Sequence, residues 1–145
     1  METYIQLKRR HEKEGNELPM FFAFSNQQLE RAMAKIGLTI EADDLKKIYS
    51  LGGGGFCLRQ DIKEIHSCFT RQDAELEAAF KADVTGAGFC YQAFDFELSN
   101  HEYCVTGSVE DALDSLGLTL DDVRESEAMR TGLNMSIREQ RRQHA

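Results

Sequence analysis

Glu97 and His101 stand four residues apart, a spacing that on a helix puts a carboxylate and an imidazole on one face, where they can chelate a metal or pair as ions. Cys104 follows three residues later, so Asn100-His-Glu-Tyr-Cys is the densest reactive stretch of the chain. Two ligands do not close a zinc site; His66 or Cys68 would have to join from another helix. Cys104 with His66 or His101 could equally form a nucleophilic pair, which needs a depressed thiol pKa. The bland alternative is a buried, hydrogen-bonded histidine that holds a loop. No His-Glu-x-x-His and no Cys-x-x-Cys occurs, and the four cysteines (Cys57, Cys68, Cys90, Cys104) read as reduced, mostly buried thiols.

The run Gly52 to Gly55 invites a phosphate-loop reading, but Phe56-Cys57-Leu58 follows where Lys-Ser/Thr opening a helix would be needed. Glycines there serve a turn or a flat contact surface, with Tyr49 and Phe56 as aromatic anchors beside it. A second copy of the chain or a different partner could use that surface.

Charge carries more information. Residues 73–127 hold fourteen acidic side chains against Lys81 and Arg124, a formal charge of −12, while the whole chain carries −8 and its remainder is net positive by four. Such a block repels free nucleic acid and favours a cationic protein surface, such as the channel of a nucleic-acid-handling protein. The acids expected to serve are Asp73, Glu75, Glu77, Glu110, Asp111, Asp114, Asp121 and Asp122. Arg138, Arg141 and Arg142 make a poor nucleic-acid footprint beside them.

The elements that position these residues read as α+β: four or five helices on a small antiparallel sheet, helix in excess of strand, in a single domain over 1–145. A charged helix covers 1–17 and ends near Pro19. Residues 20–24 suit a buried strand, and Ser25 with Gln28 caps a helix over 26–36 that Gly37 closes. Residues 47–58 read as a hairpin about the glycines. A helix begins near Asp61, and Thr70 with Asp73 could restart it. Residues 89–103 fit strand and helix spacing alike, with helix favoured by Ala93, Glu97 and Leu98. An extended piece, a third source of sheet, is expected at 103–106.

Ser108 with Asp111 and Thr119 with Asp122 read as caps of the last two helices, the second carrying Met129, Leu133 and Ile137 and ending in a basic tail, 138–145, that frays. Lys35-Ile-Gly-Leu-Thr-Ile and Ser115-Leu-Gly-Leu-Thr-Leu echo one another; helix, glycine, apolar residue and Thr cap form a common local solution. No apolar run is long enough for a membrane span, and no apolar stretch follows the first charges as a secretory signal would require, so the expected location is the cytoplasm.

Asn16-Glu-Leu-Pro-Met-Phe-Phe-Ala-Phe-Ser-Asn-Gln-Gln, Tyr49-Ser-Leu-Gly-Gly-Gly-Gly-Phe and Glu97-Leu-Ser-Asn-His-Glu-Tyr together resemble a family of small uncharacterised proteins encoded by bacteriophages, prophages and conjugative elements. The resemblance implies no activity, no cofactor and no catalytic residue. It implies a setting: a small acidic protein of a mobile element in the bacterial cytoplasm. Proteins of that setting often bind host defence or replication machinery, and some anti-CRISPR inhibitors are similar in size and charge. The expectation is therefore a non-enzymatic inhibitor that docks on a basic, nucleic-acid-binding host protein such as a CRISPR effector. The alternative is a small metal- or thiol-dependent enzyme centred on Glu97, His101 and Cys104.

Overall fold

The computed structural model describes residues 1–144, most of them helical. In chain order the elements are α1 (Tyr4–Asn16), β1 (Met20–Phe22), α2 (Asn26–Lys35), α3 (Ala42–Leu45), β2 (Ile48–Gly52), β3 (Gly55–Leu58), α4 (Ile62–Ala82), α5 (Phe89–Asn100), α6 (Tyr103–Thr106), α7 (Glu110–Ser115), α8 (Leu120–Glu125) and α9 (Glu127–Gln143). The fold is α+β with helix in large excess. Among the described residues five helices reach ten residues or more (α1, α2, α4, α5 and α9), and four are turns of four to six residues. The chain divides into two compact units, one of residues Glu12–Gln72 and one of Met1–His11 with Asp73–Ala145.

In the unit of residues 12–72, the three strands form an antiparallel sheet in the order β1-β3-β2. Gly53 and Gly54, at φ +58° and +82°, make the two-residue hairpin turn between β2 and β3. Both positions lie in the left-handed region, which is why glycine stands there. Ser25 accepts the Gln28 amide at 3.1 Å and so caps α2 as expected. Gln28 Oε1 reaches back to the Phe24 amide at 2.7 Å, one residue before the cap, so the reciprocal box is not closed on Ser25 itself. Ala23, Met33, Ile48, Cys57 and Ile65 are the buried apolar residues of this unit.

The core of the other unit gathers Tyr4 and Leu7 with Phe80, Phe89, Phe94, Leu98, Leu113, Leu116, Val123 and Leu133. The ambiguous segment is helix α5, and the reason is visible in what it buries: Phe89, Cys90, Ala93, Phe94, Glu97 and Leu98 recur at helical spacing, not in alternation. It packs along α9, where Gly132 brings the two backbones close. The loop before α5 is built on Asp83, whose carboxylate accepts the amides of Gly86 (3.2 Å), Gly88 (3.1 Å) and Cys90 (2.9 Å). Partial burial would push this carboxyl up; the three amides outweigh it and hold it below its ordinary 3.8. Burial, and then Asp83, push the Cys90 thiol up to about 12. Asp83→Ala should therefore cost about 1–3 kcal/mol in urea melts at neutral pH, since it strands three amides at once. The deficit should shrink in acid, as wild-type Asp83 is itself protonated below its depressed folded value.

Several local expectations change. The strand at β1 is not a buried one: Met20 and Phe21 are half-buried and Phe22 is exposed. Residues 103–106 form a helical turn, not a strand: Glu102 at φ +55° reverses the chain, and the Thr106 and Gly107 amides bond back to Glu102 and Tyr103 at 3.1 and 2.8 Å. The helix of α4 runs unbroken through Thr70 and Asp73, because Ile65, Phe69, Leu76 and Phe80 continue one stripe and no glycine or proline interrupts it. The last helix is two: Ser126 leaves helical geometry and accepts the Met129 amide at 3.2 Å, ending α8 and capping α9. Ser108 accepts the Glu110 amide at 3.3 Å but does not cap α7 in the expected way. The basic end continues as helix to Gln143. The two echoed segments share one geometry, with Gly37 and Gly117 at positive φ and the Leu38 and Leu118 amides each 2.9 Å from a carbonyl five residues back.

Candidate functional site

The reactive stretch resolves into a packed polar knot. Glu97 is wholly buried on α5. Tyr4 Oη donates to its Oε1 at 2.5 Å, and Lys8 Nζ donates to the same oxygen at 3.0 Å. His101 Nε2 stands 3.5 Å from Oε2, an ion-pair distance when the ring is protonated. Lys8 also lies over the Phe96 ring at 5.4 Å. Burial would push the Glu97 carboxyl up, but the bonds from Tyr4 and Lys8 and the Lys8 charge hold it below the carboxylate range. An ionised carboxylate so enclosed and so bonded anchors α1 to α5. Cys104 is exposed on α6, while His66 (exposed) and Cys68 (half-buried) belong to the unit of residues 12–72. Among the described residues, no group of three metal-ligating side chains includes Glu97, His101, Cys104, His66 or Cys68.

Of the eight chosen acids, seven are exposed: Asp73, Glu77, Glu110, Asp111, Asp114, Asp121 and Asp122. Glu75 is the exception, half-buried in an ion pair with Arg10. Some of the seven also have local tasks. Asp122 accepts the Thr119 amide at 2.8 Å in the capping box of α8, Asp121 lies 3.4 Å from Arg124, and Glu77 pairs with Lys81 at 2.9 Å.

Folding turns part of this acidic face into a groove of about 600 Å³ beside α4, α8 and the start of α9. Its floor is apolar, with half-buried Leu76, Leu118 and Met129 above buried Phe80 and Leu116. Its rim carries Asp73, Glu77, Asp122 and Glu125 against the single cation Lys81. Glu125 and Leu118 were not singled out by sequence, and Met129 was read only as part of the apolar stripe of the last helix. The available signal was the apolar Leu118 just past the Gly117 helix stop, a position that commonly packs back on its own helix. In the other unit the matching segment borders a smaller recess rimmed by Lys46, Lys47 and Arg59, so the same backbone bracket carries the opposite sign.

The aromatic anchors are not brought together. Tyr49 is in register with Cys57 and Phe56 with Ser50, so strand alternation sends the two rings to opposite faces of the sheet. Phe56 stacks on Phe21 at 5.9 Å, and Arg59 covers Tyr49 at 5.8 Å. The ring nearest the glycine turn is instead Phe24, strongly exposed, which lies where a Cβ on Gly54 would project. No helix among the described residues is long and apolar enough to cross a membrane.

No curated protein and no solved structure matches the chain. A family model described as a family of unknown function, DUF7659, matches residues 3–139, which take in every element from α1 to α8 and most of α9. Its span thus embraces the Tyr4–Glu97 anchor and the whole acidic groove, and the chain belongs to the DUF7659 family.

Proposed function

We propose that the protein is a non-enzymatic interaction protein of a bacteriophage or other mobile element, acting in the bacterial cytoplasm on a host protein that handles nucleic acid. Its carboxylates occupy the Lys/Arg-lined surface where that partner would hold phosphates, and a CRISPR effector is the specific candidate. The observation that supports this is the exposure of Asp73, Glu77, Asp114 and Asp121 with their neighbours on one highly acidic stretch, three of the chosen acids meeting Glu125 at one groove. Complementary charge of this density speeds encounter and excludes nucleic acid itself as a ligand.

The test is binding to purified CRISPR effectors at about 0.05 and about 0.5 M salt, since exposed charge pairs are screened over that range. Affinity should fall steeply with salt. Reversing Asp73, Glu77, Asp114 and Asp121 to Lys should weaken it on the order of a hundredfold at low salt. These four avoid the capping carboxylate of Asp122 and the first-turn acids of α7. Asp121 is a first-turn acid of α8 and pairs with Arg124, as Glu77 pairs with Lys81, but these are exposed surface pairs of small individual worth, and the variant's fold is checked by melting temperature. Unchanged affinity in the reversed variant would reject the charge mechanism, and no binding to any effector would reject the partner.

A further inference from the structure

Resting on that reading, we infer that the groove beside α4, α8 and α9 receives a cationic amphipathic helix of the partner, apolar stripe down and Lys or Arg side chains along both rims. Carboxylates alone would serve a flat, fully screened contact. Here Leu118 and Met129 lie between them, half-buried and still reachable. An apolar floor adds area removed from water, and methionine adapts to varied side chains.

The spacing of the rims fixes the shape of the occupant. Asp73 and Glu77 are four residues apart on α4, about 6 Å along its axis. Asp122, whose Oδ2 closes the α8 capping box and leaves Oδ1 to meet a cation, and Glu125 are three apart on α8. Each wall thus presents two carboxylates one helical turn apart, matching cations at i and i+3 or i+4 on both edges of an apolar stripe. Lys81, 2.9 Å from Glu77, already places an ammonium in one of these seats, from the protein's own chain.

A second copy of the chain does not fit. Its basic helices are α1 and α9. On α1, Tyr4 and Leu7 are buried, Lys8 and Arg10 are paired with Glu97 and Glu75, and Ile5 is the one exposed apolar side chain. On α9, Leu133 is buried and Ile137 packs on its own core, so neither helix has an apolar stripe left to offer. Arg142 is also already paired with Glu139. The occupant is therefore a segment of another protein.

The probe is a fluorescein-labelled peptide of about 18 residues, long enough for a helix, with Leu on one stripe and Lys and Arg on its flanks. Its control is a peptide of the same composition scrambled to destroy the stripe. Fluorescence anisotropy should show the amphipathic peptide binding on the order of tenfold tighter than the scramble at low salt, and retaining more of its affinity at high salt. Asp73→Asn with Glu125→Gln, both exposed and checked by melting temperature, should weaken the amphipathic peptide by a similar factor. The Met129 methyl resonance should shift on binding. Equal binding of both peptides, with Met129 unmoved, would overturn the groove assignment and leave the acidic-surface reading standing. Failure of both peptides to bind at low salt would overturn the two together.

Discussion

Gly132→Ala should lower the melting temperature by roughly 10 °C, a loss of about 3 kcal/mol at this chain length. Gly132 lies inside α9, where alanine is ordinarily the better residue by up to about 1 kcal/mol. The surroundings reverse that preference. A Cβ there would meet the Gly86 carbonyl oxygen at 2.7 Å, Cys90 Cβ at 2.8 Å and the Tyr91 amide nitrogen at 3.0 Å, two of them backbone atoms that cannot swing aside. Gly86→Ala should be worse, because Gly86 sits at φ +81° and its Cβ would fall 1.8 Å from the Ala128 carbonyl oxygen. Gly15→Ala is the internal control: nothing lies within 4 Å, so it should be neutral or mildly stabilising. Thermal melts of the three variants side by side test the point. If Gly132→Ala melts like Gly15→Ala, the α5–α9 contact is looser than described.

The second large effect concerns the buried carboxylate. Tyr4→Phe should cost about 1–3 kcal/mol, the range for leaving a buried acceptor short of a partner. Lys8→Met should approach, from below, the roughly 3–5 kcal/mol typical of breaking a buried ion pair, since the Lys8 side chain keeps 32% of its exposure and water screens the pair. Combined with Glu97→Gln, the Tyr4 and Lys8 substitutions should be far from additive, for all three groups share one site. The pH dependence has a definite sign. Because the folded Glu97 carboxyl lies below its ordinary 4.5, its ionised form adds stability above the unfolded value, and that stability is lost as pH falls through the folded value. Urea melts from neutral pH to below about pH 4 should thus show wild type and Glu97→Gln converging in acid. Additive costs would show that the three groups do not act as one site, and a gap that persists in acid would show that the charge of Glu97 does not contribute to stability.

What was legible in the sequence was local. The caps at Ser25 and Thr119, the glycine stops after α2 and α7, and the Gly53–Gly54 turn each depend on residues within about five positions of one another. Residues 89–103 had two good periodicities; the propensities of Ala93, Glu97 and Leu98 tipped the reading to helix, which α5 bears out over Phe89–Asn100, and packing against α9 fixes it. Ser126 was unreadable as a break because its hydroxyl serves helix interior and cap alike until the chain direction is known. The same division holds for the candidate site. Its charge could be counted from the sequence, whereas its floor joins Leu76, Leu118 and Met129 from three separate elements. Glu97 was marked as reactive, yet nothing near it in sequence announces Tyr4 or Lys8.

That last pair has a consequence for the order of events at the ribosome. Tyr4 is bonded to a residue 93 positions downstream, and residues 12–72 between them belong to the other unit. At synthesis speeds of about 5–20 residues per second, α1 emerges on the order of 5–20 s before the carboxylate that will hold it exists. During that interval the hairpin and the short strand beside it can pair among themselves, whereas Tyr4 and Leu7 have nothing to bury against. The first helix made is thereby among the last seated, and a nascent chain stalled before residue 97 should keep its N-terminus open to proteases and chaperones.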